Sequence, residues 1–384
     1  MSDALIIYFP VGNGDTILVR LSDKTDILFD CNITEASRDE SDEQHYDVHS
    51  HLLRTLKKDT DETPYVDTFI LTHPDQDHCR GFSTTFFTGN PANYGDEHRE
   101  DGLIRIDELW FSPRLFNRKD SDICDEARAF RREAKRRMRL YKEDDPAKSE
   151  PGNRLRIIGY SDSPDLEGLE NIISTPGNAV NMINGANKKD FSFFIHAPFK
   201  DDTDSMWGER NLTSVVLQAR FDIDGEKHAA LAFFGGDAGC DVWERIFDRS
   251  KDETLKWDIF LSPHHCSWSF FSREPYKDNK TPSEKCLKLL RKGREGAFVV
   301  ASCKPIKRDD DNPPHYAAKQ QYIKIAGEKK FFATMEYPNA DKPLPLELRL
   351  TKNGPQIVDS SNSSSITSSA AIRTAVGSPQ TYGR

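Results

Sequence analysis

Residues 71–78 read LTHPDQDH and carry two imidazoles and two carboxylates within six positions. The run before them, 65–72, is short, apolar and rich in β-branched side chains, which predicts a buried strand rather than a helix. Pro74 ends that strand, and polar side chains at its tip would be costly to bury unless a cation or solvent meets them. Imidazole and carboxylate together suit zinc, manganese or iron. The stretch therefore predicts a metal site with the candidate ligands His73, Asp75, Asp77 and His78.

Further polar side chains follow three other predicted strands. Asp30 ends one of them, Asp237 follows two glycines after another, and the pair His264-His265 follows the third. In open α/β sheets, ligand-binding side chains gather at strand ends. The recurrence therefore favours one shared site over chance decoration of the surface.

Strands and helices alternate along the chain. Short apolar strands at 4–9, 16–21 and 26–31 are joined by turn residues, which predicts an antiparallel meander. Apolar residues at helical spacing predict helices at 47–58, 282–291 and 314–325. Predicted helices therefore separate several of the predicted strands.

The net charge of the chain limits the kinds of partner that it is expected to bind. The chain has 384 residues and a formal net charge of -10, which argues against indiscriminate binding to nucleic acid or anionic membranes. No apolar run approaches the roughly 20 residues that span a bilayer. The first four residues lack the basic start of a signal peptide. We therefore expect a cytoplasmic protein without a membrane segment.

One predicted helix, 126–142, is strongly basic. Its positive charges spread around much of the cylinder, and its apolar stripe is thin. A solvated helix is the plain interpretation, and the alternative is a local nucleic-acid-binding face on an otherwise acidic protein. The candidate contacts are Arg131, Arg132, Lys135, Arg136 and Arg139.

Five motifs in this order resemble those of the metallo-β-lactamase superfamily, and they look most like the ComEC-type hydrolase domain of bacterial DNA uptake, here stand-alone. They are VGNGD at 11–15 with Asp30, HPDQDH at 73–78, NLTSVVL at 211–217, GD at 236–237 and PHHCS at 263–267. The similarity runs from residue 4 to about 335 and leaves 83–190 unmatched.

The resemblance implies an α/β fold of a particular kind, a four-layer αββα sandwich with its site along one edge between two sheets. The hydrolase domain would occupy residues 1–355, with a partly helical insertion at 83–190 that includes the basic helix. Residues 356–384 are rich in Ser and Thr and are expected to form a disordered tail.

The resemblance also implies two divalent metal ions, for which zinc is favoured and manganese is the alternative. The implied ligands are His73 and Asp75 for the first ion, Asp77 and His78 for the second, Asp237 as a bridge, and His264 completing the second. Asn211 stands where most members place a further histidine ligand. The first site is therefore short of nitrogen ligands, and its full occupancy stays open.

Two residues beside the ligands have alternative roles. Asp30 is expected to orient a ligand histidine, because metal-bound imidazole normally donates its other N–H to an acceptor. An equally favoured alternative is that Asp30 acts as a capping carboxylate. His265 is expected either to bind a substrate phosphate or to hydrogen-bond within its loop, and which of His264 and His265 binds metal stays open.

These features predict a hydrolase in which a metal-activated water attacks phosphorus or a carbonyl carbon, with Asp77 and His265 as the candidate catalytic residues. A phosphodiesterase or nuclease is favoured, so a phosphodiester or nucleic acid is the expected substrate. One alternative is a hydrolase of a small ester, amide or nucleotide-like signal. Another is a catalytically weak or inactive partner protein in a multi-protein system, for example a defence system. The sequence identifies neither the substrate nor a protein partner.

Overall fold

The structure is a computed structural model that describes residues 3–38, 45–116, 119–160, 164–200, 213–309 and 311–358. Within these residues it is an α/β fold with two large mixed sheets, which confirms the predicted class. Most of the predicted tail, 359–384, lies outside the described residues. The last described strand is Gly354–Ile357, so regular structure continues just past the predicted domain end.

Short strands alternate with helices along the described chain. The strands of the N-terminal half are β1 (Leu5–Tyr8), β2 (Ile17–Arg20), β3 (Asp26–Phe29), β4 (Cys31–Asn32), β5 (Tyr65–Ile70), β6 (Arg105–Phe111), β7 (Arg154–Ile158) and β8 (Ile173–Ser174). The later strands are β9 (Ala179–Val180), β10 (Met182–Ile183), β11 (Ala186–Asn187), β12 (Phe191–Ala197), β13 (Val216–Ile223), β14 (Glu226–Phe234), β15 (Trp257–Leu261), β16 (Gly293–Ala301), β17 (Phe331–Ala333), β18 (Leu346–Thr351) and β19 (Gly354–Ile357). The helices are α1 (Val48–Thr55), α2 (Gln76–Cys79), α3 (Phe82–Thr85), α4 (Asp96–Glu100), α5 (Asp125–Lys142), α6 (Cys240–Arg249), α7 (Pro263–Cys266), α8 (Glu284–Leu290) and α9 (Tyr316–Ala326).

The first sheet has nine strands in the order β19-β18-β1-β2-β3-β5-β6-β7-β8. Its β19-to-β3 half is antiparallel, and Leu5 pairs with Arg20 while Ile17 pairs with Phe29, which confirms the predicted meander. From β3 to β8 the strands run parallel. The carboxyl ends of β3 and β5 therefore meet at one edge of the sheet, where Asp30 and the LTHPDQDH stretch follow them.

The segment 83–190, expected to be an insertion, contributes strands to this sheet. It supplies the parallel strands β6, β7 and β8, and α5 packs its apolar side on the same sheet. Parallel neighbours are joined by long crossovers, so their pairing leaves no signal at short sequence range.

The second sheet has seven strands in the order β17-β16-β15-β14-β13-β12-β9. Strands β14 to β17 run parallel, and the rest pair antiparallel. The carboxyl ends of β14 and β15 are thus adjacent, which brings Asp237 close to the pair His264-His265.

Apolar side chains form three buried clusters. One joins the two sheets, where Phe29 of β3 stacks on Phe234 of β14 with ring centroids 4.4 Å apart. A second lies between the first sheet and helices α1, α3 and α5, and a third lies between the second sheet and helices α6, α8 and α9. Each sheet therefore has one face on the shared core and the other on its own helices. None of the helices in the described ranges is long and apolar enough to cross a membrane.

Candidate metal centre

The short helix α2, which follows β5 after the loop 71–75, carries Asp77 and His78. His78 is buried, and its Nδ1 lies 2.7 Å from Oδ2 of Asp30. Asp30 also accepts hydrogen bonds from the backbone N–H and the hydroxyl of Thr72, at 2.7 and 2.6 Å. A carboxylate bound to Nδ1–H leaves Nε2 as the free ligand atom of the ring. The Asp30 contacts thus fix which nitrogen of His78 faces the centre.

The turn α7 carries two histidines in a backbone conformation that L-residues rarely adopt. His264, His265 and Cys266 have φ values of 50°, 53° and 66°. Each such residue costs on the order of 1–2 kcal/mol, and strain of this kind concentrates at functional sites. The imidazoles take different partners, because His264 Nδ1 lies 3.0 Å from Ser269 Oγ and His265 Nδ1 lies 3.0 Å from the Ser302 carbonyl oxygen.

Four side chains converge on one point: Asp77, His78, Asp237 and His265 offer ligand atoms that all lie within 4.8 Å of one another. His78 Nε2 is 3.1 Å from Asp237 Oδ1 and 3.2 Å from His265 Nε2. His265 Nε2 is 3.3 Å from Asp77 Oδ2. Ligands about 2.0–2.1 Å from one tetrahedral ion stand about 3.3 Å apart. The quartet therefore has the spacing of a metal-binding group.

The second oxygen of Asp237 faces a different set of side chains. Asp237 Oδ2 is 3.4 Å from His73 Nε2 and 3.6 Å from His264 Nε2. Asp75 Oδ2 is 3.9 Å from the same nitrogen of His73. Among the described residues, His73 Nε2 has no hydrogen-bond partner, although the atom is buried. Buried polar atoms without such partners are costly, and a cation would satisfy them.

Opposite charges compensate one another in this buried cluster. Burial opposes ionisation of Asp237, but the surrounding histidines, His78 first, hold its pKa well below the usual range. Burial likewise opposes ionisation of Asp77, and His265 and His78 lower its pKa. Despite burial, Asp237 raises the pKa of both His78 and His265. Burial lowers the pKa of His264. Binding of a cation would displace the protons that the imidazoles hold.

Asp15 is a member of the centre to which sequence reasoning gave no role. Its oxygens lie 3.9 Å from Nδ1 of His78 and 3.9 Å from Nδ1 of His265. Burial raises the pKa of Asp15 to about 6, although both histidines oppose this. Asp15, Asp30 and His78 form a second group with metal-ligand spacing. The available signal was the VGNGD motif, which ends on Asp15.

The structure brings most of the predicted site residues together and redistributes their roles. The other five predicted ligands lie in the cluster around Asp237, and His265, whose role the sequence left open, completes the quartet with Asp77 and His78. His264 lies instead on the side of His73. Asn211 lies outside the described residues.

The basic helix α5 is only partly available to a ligand. Arg131 is buried, and Arg136 forms an ion pair with Glu133 and donates to Asn153, so these two are not free nucleic-acid contacts. Arg132, Lys135 and Arg139 are exposed. Packing on the sheet thus buries or pairs some basic side chains of α5 and leaves others exposed, a difference that the sequence did not indicate.

Gly14 allows the β1–β2 loop to approach the centre closely. Its φ is +143°, its backbone nitrogen lies 3.2 Å from His265 Nδ1, and an added Cβ would collide with Asn32 and lie 2.6 Å from the Asp77 carbonyl oxygen. We expect Gly14→Ala to destabilise the fold by roughly 2–4 kcal/mol and to weaken metal binding. Urea unfolding and metal titration measure the two effects.

Gly225→Ala is the matched control, since Gly225 has a φ of +81° with nothing within 4 Å of an added Cβ. Gly225→Ala therefore measures the free-energy cost of placing alanine at a positive φ without any steric collision of the added Cβ. Equal unfolding midpoints and equal metal affinities for the two variants would contradict the role given to Gly14.

No model of a known protein family matches the chain, and no curated protein shows a significant match to it. The interpretation of the centre therefore depends on its own geometry.

Proposed function

We propose that this protein is a metal-dependent hydrolase of the metallo-β-lactamase class that binds two divalent ions. The observation that carries the proposal is the position of Asp237, whose two oxygens face two separate groups of ligand atoms. One group is Asp77, His78 and His265, and the other is His73, Asp75 and His264. Two sheets that share a core and are each covered by helices support the four-layer αββα arrangement of that class.

The donor set fits divalent metals. Each group would combine two imidazoles with two carboxylates if Asp237 is shared, a mixture that zinc accepts readily and manganese also accepts. His264 supplies the group of His73 and Asp75 with a second nitrogen, which the sequence interpretation had found missing. We therefore favour two zinc ions, with manganese as the alternative.

The residues of the centre have different roles in the proposed hydrolysis. Bound divalent ions supply Lewis-acid activation of a water and stabilise negative charge on the reacting group. Asp30 fixes the orientation of His78 through Nδ1. Asp77 is the one member of the quartet that is partly exposed, so its carboxylate is placed to accept the proton of the attacking water.

The test is metal content together with a substrate panel. Purified protein titrated with zinc or manganese is expected to bind two equivalents and to hydrolyse phosphodiesters, tested as a chromogenic diester, single- and double-stranded DNA, and RNA. Carboxylic esters and amides complete the panel. Hydrolysis of esters or amides alone would favour the small-molecule alternative. A protein that fails to bind metal stoichiometrically would overturn the proposal.

A nuclease is favoured among phosphodiesterases by three exposed cations of α5. Arg132, Lys135 and Arg139 are spaced so that they lie along one side of the helix. We expect the triple alanine variant to weaken nucleic-acid binding and to reduce its salt dependence by about one unit of slope for each phosphate that the helix no longer binds. Binding measured across a salt series checks this.

The matched control removes three exposed lysines of other helices and loops, Lys288, Lys324 and Lys329. It changes the net charge equally and should leave the salt slope as in the wild type. If both triple variants change binding to the same extent, α5 is not a specific contact surface.

A further inference from the structure

A cleft of about 500 Å³ opens beside Asp77. Its walls come from the β1–β2 loop, β4, α2 and the loop after β16, and its lining includes Asn13, Asp77, Arg80 and Lys304. Asp77 connects the cleft to the metal centre, because it lines the cleft and lies 3.3 Å from His265. A cavity of this volume is in the range that holds a nucleotide-sized ligand.

The described lining of the cleft carries more basic than acidic side chains, although the protein as a whole is acidic. The chain has 63 acidic and 53 basic residues, yet Asp77 is the sole acidic side chain among the described residues that line the cleft. Arg80 and Lys304, which are distant in sequence, both line it. The described lining therefore offers two cationic side chains to an anion.

Lys304 is held over the β1–β2 loop. Its backbone N–H donates to Asn13 Oδ1 at 3.0 Å, and its Cγ and Cε lie 3.9 and 4.0 Å from the place of a Cβ on Gly12. The side chain thus lies along the rim of the cleft.

Arg80 is anchored through its backbone. Its carbonyl oxygen accepts from the Ile33 N–H at 3.0 Å and from the Cys31 thiol at 3.2 Å. Arg105, also partly buried, is in contrast engaged by Asp59 and Asp107. Within the described part of the chain, no ion pair or side-chain hydrogen bond occupies Arg80 or Lys304. A partly buried guanidinium without an acidic partner is a strong donor for an incoming anion.

We propose that Arg80 and Lys304 bind a second phosphate of the substrate, next to the phosphodiester that the centre hydrolyses. This inference rests on the proposed hydrolase function and names its substrate class: a phosphodiester that carries a further phosphate. The guanidinium fork binds that phosphate through paired hydrogen bonds, and the lysine adds a point charge. The further phosphate is either a terminal group of a small nucleotide or the next internal phosphate of a polymer.

The experiment compares kcat/KM of the metal-loaded protein for the dinucleotide TpT, its terminally phosphorylated form pTpT, and the trinucleotide TpTpT. We expect a preference of about 10- to 100-fold for a substrate with the additional phosphate, which is the strength of charge-assisted hydrogen bonds. If pTpT but not TpTpT is preferred over TpT, the cleft binds a terminal phosphate. If TpTpT is preferred to the same extent as pTpT, the cleft binds an internal phosphate. Arg80→Gln and Lys304→Gln should each reduce the preference, and the double variant should abolish it.

Lys288→Gln combined with Lys329→Gln removes the same charge from exposed positions outside the cleft lining and should retain the preference. A preference that persists in the Arg80→Gln/Lys304→Gln variant would overturn the inference, as would its absence in the wild type.

Calorimetry with thymidine 3′,5′-bisphosphate and thymidine 3′-monophosphate separates this inference from the hydrolase proposal. Tighter binding of the bisphosphate that depends on Arg80 and Lys304 supports the cleft even if no substrate is turned over. If the protein hydrolyses phosphodiesters but shows no such difference in binding, the hydrolase proposal stands and the phosphate-binding role of the cleft is overturned.

Discussion

Asp237→Asn is expected to remove both metal ions and to lower phosphodiester turnover by roughly a thousandfold or more. Asp237 Oδ1 lies 3.1 Å from His78 Nε2, and Oδ2 lies 3.4 Å from His73 Nε2. An amide keeps the shape of the carboxylate but loses its charge and offers one acceptor oxygen instead of two. Neither group of ligands would keep its shared anionic member. Metal analysis after gel filtration and kcat/KM for a chromogenic diester measure the two effects.

Single-ion variants show whether Asp237 serves both groups. His265→Gln is expected to release one equivalent and His73→Gln the other, so each should retain about one ion where Asp237→Asn retains none. Asp248→Asn is the control, because Asp248 is an exposed partner of Lys285 and such surface pairs contribute little. Retention of one full equivalent by Asp237→Asn would show that Asp237 belongs to a single site.

The elements predicted correctly from sequence are those with local causes. The strand meander and the helix predicted at 126–142, found at Asp125–Lys142, follow from turn residues and apolar spacing within short windows. The place of β6 to β8 in the first sheet depends on pairing between distant segments. No local pattern contains that information.

The roles of His264 and His265 show the same limit within the site. Adjacent histidines look equivalent in sequence, and only the left-handed turn at both residues sends one to each side of Asp237. Glycine or asparagine would have signalled such a turn, whereas histidine does not. The site was therefore predictable as a set of residues, and its division between two groups was not.

Asp30→Ala is expected to be the most destabilising of these substitutions, by about 3–5 kcal/mol. Asp30 is fully buried and accepts from the Thr72 N–H, the Thr72 hydroxyl and His78 Nδ1 at 2.6–2.7 Å. Alanine would leave all three donors unsatisfied in the interior. It would also have to adopt a φ of 53°, which aspartate and asparagine tolerate better. Urea unfolding of the metal-free protein measures this loss.

Asp30→Asn separates orientation of the metal ligand from stability. Asparagine tolerates the same backbone conformation and can still accept from Thr72, but its amide N–H₂ would oppose the N–H of His78 Nδ1. We therefore expect a smaller loss of stability together with a 10- to 100-fold loss of metal affinity, as is typical when the acceptor behind a ligand histidine is removed. Asp224→Ala is the control for backbone conformation, because Asp224 has the same φ of 53° at an exposed turn. If Asp30→Asn binds zinc as tightly as the wild type, Asp30 does not orient His78 for the metal, and its contribution is to stability alone.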